Sequence, residues 1–447
     1  MKTAGKIGYA VGDVGISISY FTVGFFFLYY LTDIIGMDPY LAGLAFFIGK
    51  LWDGVNDPLM GIISDRTRSR FGRKRVFILF GAVPFTLSFI LLWMIPSGSA
   101  VWVQFMLAVL AMTLYATAYT VVVVPYMALV PILTEDYDER TQITGLRASL
   151  STLETILGGS AALLLSSFAN ERIGLRLITI LFGIFSLACL LIAARSVRGL
   201  EKESPSSTIR MEYSWARYTE ILKDRNVLVL MSVKLLGAVA TGSLSAALPY
   251  FAEHVLGDPG KGTYGLAVYV AVSAFAIPVW NRLSRLYDKR RLLLVGNGMT
   301  AAVLLFMGFF LGPETAGAFY AACVLLGLAM SSFLLIPYSL VPDLVEVYES
   351  QTGVRHESVF FGLWITVHQL GVSVSGLLLG FALGVFGYDG SAVAQSTEIL
   401  RAVRIGFGIL PGLFFLLTAL VLQGYGISRE VYRRARLSLA AGKKPVL

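Results

Sequence analysis

The chain has 447 residues, of which 56% are hydrophobic and 14% charged, against roughly 25% charged in soluble domains. That composition excludes a soluble globule, a secreted disulfide scaffold and a disordered chain. Thirty-six basic and 28 acidic residues give a net charge of +8, which reads loop by loop as membrane topology rather than as a nucleic-acid surface.

Apolar runs of span length predict an all-α membrane protein of twelve transmembrane helices, over 8–32, 40–64, 76–95, 101–131, 145–168, 175–194, 227–252, 263–287, 292–312, 316–341, 358–387 and 402–424. Each covers a hydrocarbon core of about 30 Å at about 1.5 Å per residue. Met1 to Ile7 lacks the features of a cleaved signal peptide, so the first span is expected to be retained. Basic residues crowd alternate loops: six in 64–75, seven in 195–225 and five in 282–291, with more in the tail, whereas 96–100, 253–262 and 313–316 hold almost none. By the positive-inside rule both termini are expected to be cytoplasmic in a cell (inner or plasma) membrane.

The second span breaks its apolar run at Lys50-Leu-Trp-Asp-Gly-Val-Asn-Asp-Pro58. A charge at bilayer depth costs at least about 2.5 kcal/mol, so these residues carry a functional expectation. Asp53, Asn56 and Asp57 share one helical face, with Lys50 a turn earlier. One reading is a lock in which Lys50 neutralises the acids. The other is a hard-cation site of oxygen ligands for Na⁺, with Li⁺ or a proton as alternatives, completed by a hydroxyl from another helix.

The fourth span ends in Val124-Pro-Tyr-Met-Ala-Leu-Val-Pro131, and the tenth in Ile336-Pro-Tyr-Ser-Leu-Val-Pro342. Glu135, Tyr137 and Thr141 follow the first, and Glu346, Tyr348 and Thr352 follow the second at the same spacing. This duplication, with the polar 195–225 stretch between its halves, predicts bundles of six spans at 1–194 and 226–424, a linker over 195–225 and a tail over 425–447. A substrate site is expected between the bundles. Cys189 and Cys323 lie within spans and suggest no disulfide framework. No zinc spacing, phosphate loop or nucleophile elbow is visible, so neither enzymatic activity nor a cofactor is expected.

Trp52-Asp-Gly-Val-Asn-Asp-Pro-Leu-Met-Gly61 and the basic loop after it, together with Thr32-Asp-Ile-Ile-Gly36, Pro125-Tyr126 and Gly384-Val-Phe-Gly-Tyr388, resemble the glycoside-pentoside-hexuronide:cation symporters of the major facilitator superfamily. The resemblance covers almost the whole chain. It implies the major facilitator fold of two pseudo-symmetric six-helix bundles, alternating access, and solute uptake driven by cation entry. It carries the family's cation ligands onto Asp53, Asn56, Asp57 and Thr120. At the sugar site the family's two gripping carboxylates match Ser17 and Val123, a Trp matches Met127, and an eleventh-helix Lys matches Gln369; the fifth-helix Arg is kept as Arg147. Losing both carboxylates argues against galactoside recognition of the usual kind. Thr120-Val-Val-Val-Val-Pro-Tyr126 offers an apolar wall, and Arg147 with Glu154 resembles the fifth helix of vertebrate lysolipid symporters.

Remaining candidates are Trp364 and His368, four apart on the eleventh span, and Lys234, a charge in the seventh span with no obvious partner. Asp13 is read as lying at the interface. The basic 66–75 and 282–291 loops are expected to hold helix ends as well as to set topology. The expected function is a cation-coupled symporter of a glycoside-like or other small organic solute, acting as a monomer with membrane lipid around it and no nucleic acid. The alternatives are a transporter of an amphipathic, lysolipid-like substrate and a membrane sensor that does not transport.

Overall fold

The computed structural model describes residues 3–133, 142–143, 146–147, 150, 157–165, 168, 170–200, 221–353, 357–390, 392 and 395–440. The apolar runs form α1 (Thr3–Tyr29), α2 (Pro39–Arg66), α3 (Arg75–Leu91), α4 (Val101–Met127), a short α5 (Ala161–Leu165) and α6 (Glu171–Ser196). They continue as α7 (Arg225–Tyr250), α8 (Pro259–Leu286), α9 (Lys289–Phe310), α10 (Ala316–Thr352), α11 (Glu357–Val385), α12 (Thr397–Leu422) and a final polar helix, α13 (Arg429–Ala440). Among the described residues, nine helices are long and apolar enough to cross a membrane. The charged α2 and the 17-residue α3 are not among the nine. The fold is that of an all-helical, multi-pass membrane protein.

Local chemistry sets the helix ends. Asp38 accepts from the backbone N–H groups of Tyr40 and Leu41 at 2.9 and 3.4 Å ahead of Pro39, and Asp288 caps α9 through Arg290 and Arg291. Both are side-chain oxygens meeting unpaired first-turn donors. α10 runs past its expected end at 341 to Thr352. Pro342 does not stop it, and no glycine occurs until Gly353, whose φ of 72° closes the helix. Among the described residues three π-helical turns interrupt the ladder, at Tyr30–Ile34 after α1, Phe251–Val255 after α7 and Ile405–Ile409 within α12.

The chain divides into two compact units. The first holds Met1–Ile209, Ser245–Leu266 and Gly376–Val403. In it α1 packs on α6, α2 on α4, and α3 on both α4 and α6. Small residues permit the closest crossings, which is the means of helix association where no water drives it. A Cβ on Gly380 would meet the Pro39 carbonyl oxygen at 2.5 Å and the Gly43 Cα at 2.8 Å. Gly380→Val is therefore expected to yield no monodisperse protein in detergent by fluorescence-detected size-exclusion chromatography, and an unaltered elution profile would count against this crossing.

The second unit holds Arg210–Leu244, Ala267–Ser375 and Arg404–Leu447. Its α9 packs on α10 and on the latter part of α12, and α13 lies against α10. Asn297 donates to Thr418 at 2.8 Å across α9 and α12, both side chains fully buried.

The basic loops do structural work in each unit. Lys74 reaches Ser64 and Asp65 at 2.7 and 2.6 Å, and Arg75 donates to the Ala194 carbonyl at 2.5 Å. In the second unit Lys289 holds Asp343 at 2.6 Å.

Candidate functional site: buried charges on helices 1, 2 and 4

α2 carries Lys50, Asp53, Asn56 and Asp57 along one face, as their spacing requires. Lys50 and Asp53 are 3% and 2% exposed. The Lys50 ammonium lies 3.5 Å from Asp53 Oδ2 and 4.6 Å from the centre of the Tyr20 ring, which stacks on Tyr119 of α4 at 5.6 Å. α4 is stitched to α2 one turn apart: Trp52 donates to Thr117 at 2.9 Å, and the buried Thr120 hydroxyl donates to Asp57 Oδ1 at 2.7 Å.

Two atoms of this cluster stand out. Asp53 Oδ1 and Asn56 Nδ2 are buried and have no hydrogen-bond partner among the described residues. Because a buried polar atom left unmet costs about 1–3 kcal/mol, an unmet carboxylate oxygen beside a second carboxylate marks a place for something electropositive. Formal charge agrees. Two carboxylates and one ammonium leave the cluster at −1, and a single monovalent cation makes it neutral.

A second cluster joins residues that the sequence reading kept apart. Arg147 grips Asp13 with two hydrogen bonds, Nε to Oδ2 at 2.9 Å and Nη2 to Oδ1 at 3.2 Å, and its Nη2 also lies 2.8 Å from Met127 Sδ. The guanidinium sits 5.3 Å from the centre of the Tyr126 ring. Tyr126 and Tyr9 stack at 4.6 Å, and each donates its hydroxyl to the other's backbone carbonyl at 2.6 Å.

Arg147 thus has its carboxylate on the first helix. Glu154, read beside it on the fifth span, lies outside the described residues. Asp13 is buried rather than interfacial, at 7% exposure. Its i, i+4 relation to Ser17 was the available signal. Ser17 and Val123 are half-buried and Met127 is exposed; Met127 is tied to Arg147 by a contact.

On α11, Trp364 is buried, His368 half-buried and Gln369 buried with its Oε1 unmet among the described residues. Lys234 of α7 lies against the rings of Tyr338 and Trp364, with its Nζ 5.1 and 4.8 Å from their centres. The aromatic partners were not foreseen.

A third cluster in the first unit involves the Thr32-Asp33 and Tyr388 signatures, which had been given no role. Tyr388 donates to Asp33 Oδ1 at 2.5 Å and lies 2.7 Å from His254 Nε2. Burial and the Asp33 carboxylate push the Tyr388 phenol well above its ordinary value, so it stays protonated. Its one proton goes to Asp33, and His254 Nε2–H therefore donates to the phenol oxygen. Tyr29 donates to Glu253 at 2.7 Å, and Thr32 and Tyr250 share a hydrogen bond of 2.7 Å. Tyr388→Phe leaves both Asp33 and His254 short of a partner. The expected cost is about 1–3 kcal/mol, read as a lower melting temperature in detergent; an unchanged melt would contradict the network.

Many long apolar helices carrying a few buried charges define a multi-pass membrane protein. The MFS/sugar transport protein family matches residues 8–429, and the chain belongs to that family, which takes in the glycoside-pentoside-hexuronide:cation symporters. It is 26% identical to the inner membrane symporter YicJ of Escherichia coli (strain K12), over 98% of this chain and 95% of the relative. It is 24% identical to the sodium-dependent lysophosphatidylcholine symporter 1 of Gallus gallus, over 98% and 89%. The fold is that of a solved mutant of the nucleoside transporter NupG, with a TM-score of 0.68, 13% identity and coverage of 95% of this chain and all of that one.

Proposed function

We propose that this protein is a Na⁺-coupled symporter of a small organic solute, with Asp53, Asn56, Asp57 and Thr120 as the ligands of the coupling ion. The observation that carries the reading is the α2 cluster: Thr120 fixes Asp57 at 2.7 Å while Asp53 Oδ1, one turn away, has no hydrogen-bond partner among the described residues. Carboxylate, amide and hydroxyl oxygens suit a hard monovalent cation. Lys50 holds the other oxygen of Asp53 and prevents the two acids from repelling one another when the ion is absent.

The proposal includes alternating access by bundles over 1–194 and 226–424, both termini facing the cytoplasm, and an inner-membrane location. Ser17, Val123, Met127, Arg147, Glu154, Trp364, His368 and Gln369 form the proposed substrate set. The family description, a sugar transporter, supports a glycoside-like solute. A lysolipid is the second reading, favoured by the exposed thioether of Met127 beside the Arg147 guanidinium, an apolar surface next to a cation.

The test is uptake by proteoliposomes of radiolabelled neutral glycosides, hexuronides and lysophospholipids, with and without an inward Na⁺ gradient. The reading expects at least one solute to accumulate above its external concentration only with the gradient. Accumulation indifferent to Na⁺, or none for any of the three classes, would overturn it.

A further inference from the structure

The two π-helical turns Tyr30–Ile34 and Phe251–Val255 stand 221 residues apart. Asp13 and Lys234 are separated by the same 221 residues, so each occupies the same place before the π-turn of its own helix. Each is linked through a cation to the Pro-Tyr segment of its own half. The cation bonded to Asp13 lies 5.3 Å from Tyr126, and Lys234 itself lies 5.1 Å from Tyr338. The two places are buried alike, at 7% and 6% exposure.

Their charges are not balanced alike. Around Tyr126 the set is complete, because an acid and a guanidinium neutralise one another. Around Tyr338 there is an ammonium, and among the described residues Lys234 has no carboxylate within salt-bridge distance and no hydrogen-bond acceptor. The ring faces of Tyr338 and Trp364 each return about 2 kcal/mol against the several kcal/mol that desolvating an ammonium costs, and neither ring supplies a formal negative charge. A second donor beside it is also unmet. Trp364, whose ring carries the ammonium at 4.8 Å, has its indole N–H buried with no acceptor among the described residues. Tyr338, at 52% exposure, is the one wall of this group open to the surface.

We infer that Lys234 and the Trp364 indole N–H form the recognition site for an oxyanion, a carboxylate or a phosphate, carried by the transported solute. Donors without an acceptor select a ligand rich in acceptors and poor in donors. The anion takes the role in the second unit that Asp13 takes in the first. This inference rests on the transport reading above, and it narrows the solute to an anionic one.

The probes are two matched pairs, a phenyl glucuronide against the corresponding phenyl glucoside, and lysophosphatidic acid against the monoacylglycerol of the same chain. Binding to the purified full chain is measured in detergent, and the pairs separate a carboxylate from a phosphate source. The wild type is expected to prefer the anionic member of at least one pair. Lys234→Gln should weaken that member by at least about tenfold, as for loss of a hydrogen bond to a charged group, and leave the neutral member unchanged. Lys234→Arg should retain part of the preference.

Trp364→Phe, which keeps the ring and removes the N–H, should lose a smaller factor and serves if Lys234→Gln does not fold. Retained ²²Na⁺ binding reports that each variant is folded. No preference in the wild type for either anion, or a preference that survives Lys234→Gln, overturns the inference. Na⁺-driven uptake of a neutral glycoside in the same preparation would show that the symport reading outlives that failure.

Discussion

Asp57→Cys is expected to abolish Na⁺-driven accumulation of solute in proteoliposomes while leaving solute counterflow, which needs no net ion movement, at near wild-type rates. The expectation follows from the placement of charge. Asp57 is the acid whose oxygen is fixed by Thr120, and Lys50 is already engaged with Asp53. Removing Asp57 takes the cluster from −1 to zero, so the attraction for a cation disappears while the packing of α2 on α4 through Trp52 and Thr117 remains. Linkage makes the effect reciprocal: a cation that tightens solute binding by about 5–150-fold is itself bound tighter by solute to the same extent, and both enhancements should vanish together. Accumulation unchanged in Asp57→Cys would sink the cation site.

The second large effect is structural. Asp13→Asn leaves the Arg147 guanidinium buried without its carboxylate, an imbalance that costs about 3–5 kcal/mol in known cases. The pair is well shielded, with side chains 14% and 10% exposed, so solvent does little to soften the loss. A sharp fall in melting temperature, or loss of folded protein, is expected. The double variant Asp13→Asn with Arg147→Met should recover most of that stability, because the uncompensated charge is gone. If the double variant were as unstable as the single one, burial of an unpaired guanidinium would not be the cause.

The spans were legible because apolar run length and bilayer thickness are tied by simple geometry, and α2 to α4 fall close to where the hydropathy puts them. α10 overran its expected end because proline in a membrane helix need not stop it, whereas Gly353 at positive φ does. Lys50, Asp53 and Asp57 were legible as a group since four residues of spacing places side chains on one face. Asp13 was not. α1 begins at Thr3 rather than at 8, so Asp13 is about 15 Å into the helix at about 1.5 Å per residue, and its partner is 134 residues further along the chain. Lys234 was visible as an anomaly, but its neighbours are ring faces, which no charge-pairing rule brings to mind.

Formal charge connects these sites. The Asp13–Arg147 pair is neutral, the α2 cluster is one negative charge from neutral, and Lys234 is one positive charge from it. A cation at the second and an anionic solute at the third would each discharge a buried imbalance.

The most direct measurement is equilibrium binding of ²²Na⁺ to the purified full chain in detergent, for the wild type and for Asp57→Cys. The account predicts saturable binding to the wild type and none to Asp57→Cys, together with a wild-type thermal stabilisation of about 2.7 kcal/mol when Na⁺ is a hundredfold above its dissociation constant. Saturable binding that persists undiminished in Asp57→Cys, or a wild type that binds no Na⁺, would contradict it.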